Sequence, residues 1–505
     1  MRNIIWLFCF GILLLYACQE KVKEPNIVII LADDLGYGDP EVYNAESKIP
    51  TPNINKLAAS GMRFTDAHTP SSVCSPTRYG LLTGRYAWRT ELKKSVLWAW
   101  DKPLIAQERL TLPKMLKSKN YHSACIGKWH LGWRWPSNEN EQYANDTVTI
   151  GDYNYPGRRA LWKKIDFENS LGGGPLEAGF DYYFGDDVPN FPPYVFFEND
   201  QLVSVPLSLK PDSLFGIPGP MIDGWKLEEV MPSITQKAVD YIQQRAKKDK
   251  PFFLYFALTA PHTPIAPAGK FKDKSKAGLY GDFVHEVDWS VGEIMTALKQ
   301  TGVLNNTIVF FTSDNGSPQR DGTNMSGPIG SVKKYGHDPS KPWRGMKADI
   351  WEGGHRVPFI VSWPAKIDPN TKSDQLICLT DIISSIASIL DIPNQPNAME
   401  DSFDVSPGFL QKEYEYPIRE TIVHHSGNGI FAVRKKNWKL ILGNNSGGFS
   451  NGLKIEGIPV ATEGQLYDLS KDPEEQNNLY ALYPDKVKEL TTLLNEYKTR
   501  GTSKL

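Results

Sequence analysis

The chain has 505 residues, of which 40% are hydrophobic, 11% aromatic and 23% charged. This composition excludes a wholly disordered or collagen-like chain, and the length is sufficient for two or three domains, or for one large domain with an appendage. The formal net charge of -2 argues against a nucleic-acid-binding protein, which would usually carry a basic excess.

The first residues predict an export signal. Arg2 supplies positive charge, and residues 4–15 form an almost continuous apolar stretch that is too short to span a bilayer comfortably. Residues 15–18 read Leu-Tyr-Ala-Cys, and this sequence resembles the site at which bacterial lipoproteins are cleaved and lipidated. We expect a signal peptide over residues 1–17 and a lipid anchor on Cys18, in the cell envelope of a bacterium. A plain secretory signal or a retained membrane helix are the alternatives.

The remaining cysteines do not form a convincing disulfide framework. Cys9 and Cys18 belong to the signal segment and the anchor, which leaves Cys74, Cys125 and Cys378. Cys125 and Cys378 are surrounded by apolar residues, so we interpret them as small core residues. Cys74 lies in a different kind of segment, described below.

Apolar and β-branched runs alternate with helical patterns along most of the chain. Residues 26–32, Asn-Ile-Val-Ile-Ile-Leu-Ala, are typical of a strand buried on both faces of a parallel sheet. Further strands are predicted at residues 252–258, 307–312 and 357–363, and helices at residues 233–246, 283–298 and 381–390. The alternation predicts an α/β domain. Asp33-Asp34 and Asp314-Asn315 lie at the carboxyl ends of two of these strands, and α/β domains usually have their active sites at these ends.

The chain between and after these elements is less regular. Residues 133–220 are rich in Gly, Pro, Asn and aromatic residues with weak periodicity, so we expect long surface loops that form the walls of a cleft. Short strands at residues 430–433 and 438–442 and an amphipathic helix at residues 484–497 follow a Pro- and Asn-containing boundary. We predict a catalytic domain over residues 24–395 and a smaller C-terminal domain over residues 415–505 that completes the substrate cleft.

The segment that begins at Cys74 carries the most specific motif. Residues 74–85 read Cys-Ser-Pro-Thr-Arg-Tyr-Gly-Leu-Leu-Thr-Gly-Arg. This resembles the signature of the formylglycine-dependent sulfatases of arylsulfatase type, which belong to the alkaline phosphatase superfamily. The resemblance implies that a maturation enzyme oxidises Cys74 to formylglycine, whose hydrated aldehyde carries two hydroxyls on one carbon. Such a diol can expel sulfate by re-forming its carbonyl, whereas a serine or cysteine nucleophile would leave a stable adduct.

Asp33, Asp34, Asp314 and Asn315 match the metal ligands of the sulfatase family residue by residue. The resemblance implies that they bind the metal together with the modified residue 74. All four are oxygen donors, and a set of hard oxygens without His or Cys suits Ca²⁺, or Mg²⁺, much better than Zn²⁺.

Three further blocks resemble family motifs and supply the other catalytic residues. They are Gly-Lys-Trp-His-Leu-Gly at residues 127–132, Pro-His-Thr-Pro at 261–264 and Arg-Gly-Met-Lys at 344–347. The resemblance implies that Arg78 holds the diol and that Lys128 and Lys347 neutralise the sulfuryl oxygens. His262 would protonate the leaving oxygen, and His130 would accept the proton of the second hydroxyl, with the two histidines possible in reversed roles.

The resemblance covers most of the chain after the signal segment, because residues 351–354, 356–358 and 466–469 also match. It implies a large α/β domain with a mixed, mainly parallel central sheet flanked by helices. A smaller C-terminal domain with an antiparallel sheet and a helix would follow.

The substrate is less well defined by the sequence. The predicted export and the family resemblance together favour a sulfated polysaccharide or oligosaccharide as the substrate, such as ulvan, carrageenan or glycosaminoglycan fragments. Sugar subsites commonly present aromatic faces and a few polar groups, so we predict contacts from Trp133, Tyr194, His424 and His425, with Trp135 and Tyr335 as further candidates. The alternative functions are a phosphate or phosphonate monoester hydrolase of the same superfamily and an inactive, glycan-binding lipoprotein.

Overall fold

The computed structural model describes residues 23–139, 142–393, 395–412, 417–451 and 463–504. The predicted signal peptide over residues 1–17 and Cys18 lie outside these residues. Within the described ranges, no helix has both the length and the apolar character needed to cross a membrane.

The strands and helices follow one another along the whole described chain. The strands are β1 Asn26–Asp33, β2 Met62–Phe64, β3 Ala67–His68, β4 His122–Gly127, β5 Tyr182–Gly185, β6 Phe197–Glu198, β7 Gln201–Leu202, β8 Ser208–Leu209, β9 Pro220–Met221, β10 Phe252–Pro261, β11 Thr307–Ser313, β12 Phe359–Ser362, β13 Thr371–Ser373, β14 Ile377–Cys378, β15 Thr421–His425, β16 Phe431–Lys435, β17 Trp438–Ile441 and β18 Gln465–Asp468. The α-helices are α1 Pro52–Ala59, α2 Cys74–Thr83, α3 Leu112–Leu116, α4 Val230–Arg245, α5 Gly278–Gln300, α6 Glu352–His355, α7 Asp381–Ile389, α8 Ser406–Phe409 and α9 Pro484–Arg500.

The centre of the fold is a mixed sheet with the strand order β13-β2-β12-β11-β1-β10-β4-β5-β6-β7. The strands β11, β1, β10, β4 and β5 run parallel, and β12 pairs antiparallel with β11. Helices α4 and α5 cover one face of the sheet, and α2 and α7 contribute to the apolar cluster on the other. The predicted fold class, an α/β domain with a mixed, mainly parallel sheet flanked by helices, is confirmed.

Strand β1 shows why this sheet forms from such apolar sequence. Ile27, Ile29 and Leu31 belong to the cluster on one face, and Val28 and Ile30 belong to the cluster on the other. Successive side chains of a strand point to opposite faces, so a strand covered on both sides must be apolar at every position. The predicted two-sided burial of β1 is confirmed.

The prediction of surface loops for residues 133–220 is wrong in part. Strand β5 pairs parallel with β4, and β6 and β7 extend the central sheet further. The aromatic side chains of the segment pack into the apolar cluster on one face of the central sheet. For example, Trp133 stacks on Phe197 with 5.2 Å between the ring centroids. The strands have only two to four residues each, too short to show an alternating pattern.

The C-terminal part forms its own antiparallel sheet in the order β15-β16-β17-β18. Leu490 and Leu494 of α9 pack against this sheet, and Tyr86 and Trp88 from the first part of the chain join the same apolar cluster. The predicted antiparallel sheet and closing helix are confirmed, whereas the division into residues 24–395 and 415–505 stays a prediction.

A buried ion cluster joins this second sheet to the segment that follows residue 347. The Lys439 ammonium of β17 lies 2.9 Å from Glu352 and 2.8 Å from Glu475, and none of the three side chains is exposed. Removing one partner of such a cluster would leave a buried charge uncompensated. The cluster therefore fixes the position of the loop before α6 relative to the C-terminal sheet.

Candidate active site

Four neighbouring parallel strands deliver polar residues to one edge of the central sheet. Asp314-Asn315 follow β11, and Asp33-Asp34 lie at the end of the neighbouring strand β1. His262 follows β10 and Lys128 follows β4, the next two strands in the sheet. Ala32 of β1 is in register with Ser313 of β11, and the backbone N–H of Asp34 donates to Asp314 Oδ1 at 3.2 Å. Carboxyl ends of parallel strands meet at the same edge, so segments far apart in the chain meet here.

Cys74 is the first residue of α2, and Arg78 lies one turn later on the same helix. The Cys74 Sγ lies 4.0 Å from Asp34 Oδ1 and 3.5 Å from the Lys347 ammonium. The spacing of four residues puts both side chains on one face of the helix. The motif that begins at Cys74 therefore points into the same edge of the sheet as the strand ends.

The acidic and basic side chains at this edge form buried pairs. Arg78 donates from Nε and Nη2 to Asp314 Oδ2 at 3.0 and 2.8 Å, and from Nη1 to the Lys128 carbonyl. The Lys128 ammonium lies 2.8 Å from Asp33 Oδ2, and the Lys347 ammonium lies 2.6 Å from Asp34 Oδ1. The predicted contact of Arg78 with the modified residue 74 stays a prediction.

Burial and neighbouring charges shift the pKa values of these groups. Burial, supported by Asp314 and Asp33, raises the pKa of the Cys74 thiol to about 12 in spite of the nearby lysines. Burial acts against the charge of Lys347, but the attraction of Asp34 outweighs it and raises the pKa of the ammonium overall. At neutral pH the site therefore contains a protonated thiol beside a charged lysine.

Two of the predicted metal ligands, Asp33 and Asp34, belong to one cluster of possible ligand atoms, and Asp314 and Asn315 lie beside them through hydrogen bonds with Asp34. Asp33 Oδ1 and Asn315 Oδ1 are buried oxygens without a hydrogen-bond partner. Ligand atoms of Asp33, Asp34, Cys74 and His262 lie within 4.8 Å of one another. Buried oxygens normally have partners, and oxygen donors in this number suit Ca²⁺ or Mg²⁺. A bound cation would satisfy the two orphaned oxygens.

His130 is held in a tautomer that leaves one nitrogen free to accept a proton. Its Nε2 lies 2.8 Å from the Leu97 carbonyl, which can only accept, so Nε2 carries the hydrogen. The Nδ1 is buried without a partner. Burial, with the positive charge of Lys128, holds the pKa of His130 well below its usual range. The imidazole is therefore neutral at pH 7 and has the form of a general base.

His262 is held from the opposite nitrogen. Its Nδ1 donates to the Thr263 carbonyl at 2.5 Å, and its Nε2 lies 3.8 Å from Asp34 Oδ2. Burial and the charge of Lys347 lower the pKa of His262 well below its usual range. Because a nearby anion favours the charged form of a histidine, bound sulfate would raise this pKa toward the range needed for an acid.

Four of the predicted catalytic side chains and one predicted metal ligand line one cavity of about 410 Å³, namely Cys74, His130, His262, Lys347 and the ligand Asp34. Its outer walls include residues that the sequence analysis did not single out: Trp98, Asn190, Phe191, Phe215, Arg320, Asn428 and Phe449. They come from separate loops, and no local pattern marks them. Only the position of Arg320, five residues after Asn315, offered a signal.

The side chains predicted to bind the sugar do not line this cavity. Trp133, Tyr194, His424 and His425 are all buried, at 2% exposure or less. The Tyr194 hydroxyl donates to the carbonyl of Asn190, and His425 is bound to the Lys93 carbonyl at 2.7 Å. The prediction that these four residues contact the sugar is therefore wrong. Their side chains instead pack in the interior and support the loops that line the cavity. Of the further candidates, Trp135 is buried and Tyr335 is exposed outside the cavity wall.

His424 belongs to a second group of metal-ligand residue types, with His68 and His355. The His68 Nε2 lies 2.8 Å from Asp66 Oδ1, His68 Nδ1 lies 3.0 Å from His355 Nδ1, and His355 Nε2 lies 3.0 Å from the Lys439 ammonium. This chain of contacts can be satisfied by protons alone, from lysine through two neutral histidines to aspartate. His68 and His355 are therefore part of a buried hydrogen-bond network, whereas His424 contacts the Thr69 carbonyl through Nδ1 at 3.1 Å and its buried Nε2 has no hydrogen-bond partner.

Comparisons with known proteins agree with this geometry. The family model described as Sulfatase matches residues 25–392, and the model described as N-sulphoglucosamine sulphohydrolase, C-terminal, matches residues 346–500. The chain is 36% identical to an N-acetylgalactosamine-6-O-sulfatase of Bacteroides thetaiotaomicron, over 97% of this chain and 98% of that protein. It is 31% identical to human arylsulfatase A, over 93% and 86% of the two chains.

Solved structures show the same fold. A Bacteroides thetaiotaomicron 6S-sulfatase structure, described with the metabolism of multiple glycosaminoglycans, is 32% identical and has a TM-score of 0.77, over 94% of this chain and 100% of that one. A Pseudoalteromonas sulfatase is 25% identical with a TM-score of 0.70, over 94% and 90%. With its strand-end carboxylates, the Cys74 motif and matches over nearly its whole length, the chain belongs to the sulfatase family and is a sulfuric ester hydrolase.

Proposed function

We propose that this enzyme removes the 6-O-sulfate from N-acetylgalactosamine units of glycosaminoglycan fragments. The observation that carries the proposal is the convergence of Asp34, Cys74, His130, His262 and Lys347 on one cavity. Its volume of about 410 Å³ falls in the range of about 300–1,000 Å³ that is usual for small-molecule sites. The proposed sugar and sulfate position are supported by the N-acetylgalactosamine-6-O-sulfatase of Bacteroides thetaiotaomicron, to which this chain is 36% identical over 98% of that protein.

The residues of the site divide the work of sulfate transfer among them. Bound Ca²⁺ and a formylglycine at position 74 would together supply an activated hydroxyl nucleophile. Lys128 and Lys347 bind the sulfuryl oxygens with charge-assisted hydrogen bonds. His262 donates a proton to the sugar oxygen as its bond to sulfur breaks, and His130 Nδ1 accepts a proton when sulfate leaves residue 74. Asp33, Asp34, Asp314 and Asn315 would hold the cation.

The proposed export and anchoring complete this assignment. A lipid on Cys18 would hold the enzyme in the cell envelope, where sulfated polysaccharide fragments arrive. The formylglycine-generating enzyme would act on Cys74 before the chain folds, because Cys74 is buried in the folded protein.

The substrate assignment is tested with a panel of defined sulfated sugars. We expect sulfate release from 6-sulfated N-acetylgalactosamine, and none from its 4-sulfated isomer, measured by chromatography of the products. The Cys74→Ala enzyme serves as the blank, and the sulfate and phosphate esters of one phenol compare the two ester classes. Sulfate release from ulvan or carrageenan oligosaccharides alone would contradict the assignment.

The modification of Cys74 is tested by mass spectrometry of the tryptic peptide that spans residues 64–78. We expect an aldehyde in place of the thiol when the maturation enzyme is present, because the diol is needed to release sulfate. Cys378→Ala, which removes another buried cysteine, should retain both the aldehyde and activity. A fully active enzyme with an intact Cys74 thiol would refute the modification.

The cation site is tested by chelation and by the substitution Asn315→Ala. Removal of Ca²⁺ should lower activity and melting temperature together, since binding at about 100 times Kd stabilises the fold by about 2.7 kcal/mol. Asn315→Ala removes an oxygen donor without breaking an ion pair, so it should weaken Ca²⁺ binding in calorimetry. Asn306→Ala, at the opposite end of β11, is the control. Stoichiometric zinc without calcium or magnesium in active enzyme would rule out the assignment.

The roles of the two histidines are separated by their leaving-group dependence. His262→Ala should slow hydrolysis of a sugar sulfate by about two to four orders of magnitude and slow an activated phenyl sulfate much less, because phenols depart without a proton. His130→Ala should allow the first step and trap a sulfated enzyme, detected by intact mass.

The substitution His285→Ala, in a half-buried histidine of α5, is the control for histidine removal. Equal losses on both substrates, with no adduct in either variant, would show that the two roles are assigned wrongly.

A further inference from the structure

Arg320 lies on the wall of the cavity that contains Cys74. The side chain is half-buried, and its Nη1 donates to the Ser326 hydroxyl at 3.0 Å and to the Gly327 carbonyl. Among the described residues, no hydrogen bond engages its Nε or Nη2. These two N–H groups form one edge of the guanidinium, and such an edge binds a carboxylate or sulfate through two parallel hydrogen bonds.

Arg320 also forms no ion pair in the described part of the chain, and Asp34 attracts its charge only from beyond ion-pair distance. Lys128 and Lys347 are paired with Asp33 and Asp34 at 2.8 and 2.6 Å, whereas no carboxylate of the described residues forms an ion pair with Arg320. Taking a charge out of water without a counterion is costly, and burial lowers the pKa of this arginine. An anion in the cavity would offset that cost.

The loop of Arg320 is attached to the leaving-group side of the site. The backbone N–H of Ile265 donates to the Met325 carbonyl at 2.7 Å, which joins the loop to the segment after His262. Under the proposed function His262 protonates the departing sugar oxygen. The loop that carries Arg320 is therefore joined to the segment of the histidine assigned to the leaving sugar, whereas the scissile sulfate is assigned to the lysines.

An apolar surface completes the sugar side of the cavity. Trp98 stacks on Phe191 with 5.6 Å between ring centroids, and both rings line the cavity. Aromatic faces of this kind bind the apolar face of a sugar ring, and directed polar groups at the edge fix its orientation. The unpaired edge of Arg320 is such a group.

We propose that Arg320 binds a second anionic group of the substrate, a uronate carboxylate or a second sulfate, so that the enzyme selects polyanionic oligosaccharides over isolated sulfated sugars. The inference rests on the proposed function and adds to it a specificity residue that no sequence motif marks. The group that binds to Arg320 would be a planar carboxylate or a tetrahedral sulfate. It would be attached to the sugar that carries the scissile sulfate or to the neighbouring sugar.

The experiment compares four defined substrates with the metal-loaded, matured enzyme. These are 6-sulfated N-acetylgalactosamine, its disaccharide with a uronate, the same disaccharide with the carboxyl reduced to an alcohol, and the reduced disaccharide with a second sulfate. The native enzyme should prefer the substrates with a second anion, mainly through a lower KM. A preference for the uronate or for the second sulfate identifies the source of that anion.

The substitution Arg320→Ala should lower kcat/KM for the preferred disaccharide by about 10- to 100-fold, the loss expected for hydrogen bonds to a charged group. It should leave kcat/KM for the monosaccharide and for the carboxyl-reduced disaccharide unchanged, and Arg320→Lys should retain part of the preference. The control is Lys299→Ala, which removes an exposed charge at the C-terminal end of α5. This end of the helix precedes the start of β11, at the edge of the sheet opposite the site, so the variant should behave as the native enzyme.

Several outcomes would overturn the inference. An equal loss on all substrates would mean that Arg320 acts on the scissile sulfate or on the fold. A native enzyme that hydrolyses the disaccharides with and without a second anion equally would exclude a second anion site, even if the Arg320 variants failed to fold. Failure of the native enzyme on every 6-sulfated substrate would instead overturn the proposed function, so the two failures are distinguishable.

Discussion

The pairing of opposite charges at the carboxyl edge of the central sheet is the interaction on which the site depends. Three acids and three bases are buried there: Asp33, Asp34, Asp314, Arg78, Lys128 and Lys347. An ion taken out of water without a partner costs several kcal/mol, but here each base lies within hydrogen-bond distance of an acid. The pairing keeps the carboxylates close together, and this closeness forms the group of buried oxygens that we propose to bind a hard cation next to Cys74.

This arrangement requires both parts of the fold. The parallel sheet supplies the acids and Lys128, but Lys347 lies on a loop that the C-terminal part holds in place. The backbone N–H of Ile350 donates to the Ser446 carbonyl at 2.8 Å, and that of Gly427 donates to the Ala348 carbonyl at 2.9 Å. The same C-terminal loops bring Asn428 and Phe449 to the cavity wall. The loops that hold Lys347 thus also shape the wall of the cavity that contains Cys74.

The strands of the core were predictable because burial on both faces leaves no other kind of sequence. Residues 307–312 were predicted as a strand, and β11 is Thr307–Ser313. The short strand β5 was not predictable, since four residues carry no periodic signal and its pairing with β4 supplies the order. The sugar-contact prediction failed for Trp133 and His424, because an aromatic or histidine side chain has the same local sequence signature whether it faces a cleft or the core.

The sequence by itself determined the family of this protein and its sulfatase activity, because the family's motifs are particular residues at short, fixed spacings. Cys74 and Arg78 share one helix face, and Asp33-Asp34 and Asp314-Asn315 follow strands that can be recognised from composition. Only the tertiary structure decided which loops face the reacting group. Trp98, Arg320 and Asn428 are more than 100 residues apart from one another, and packing around the sheet edge, which no local pattern encodes, brings them to one cavity.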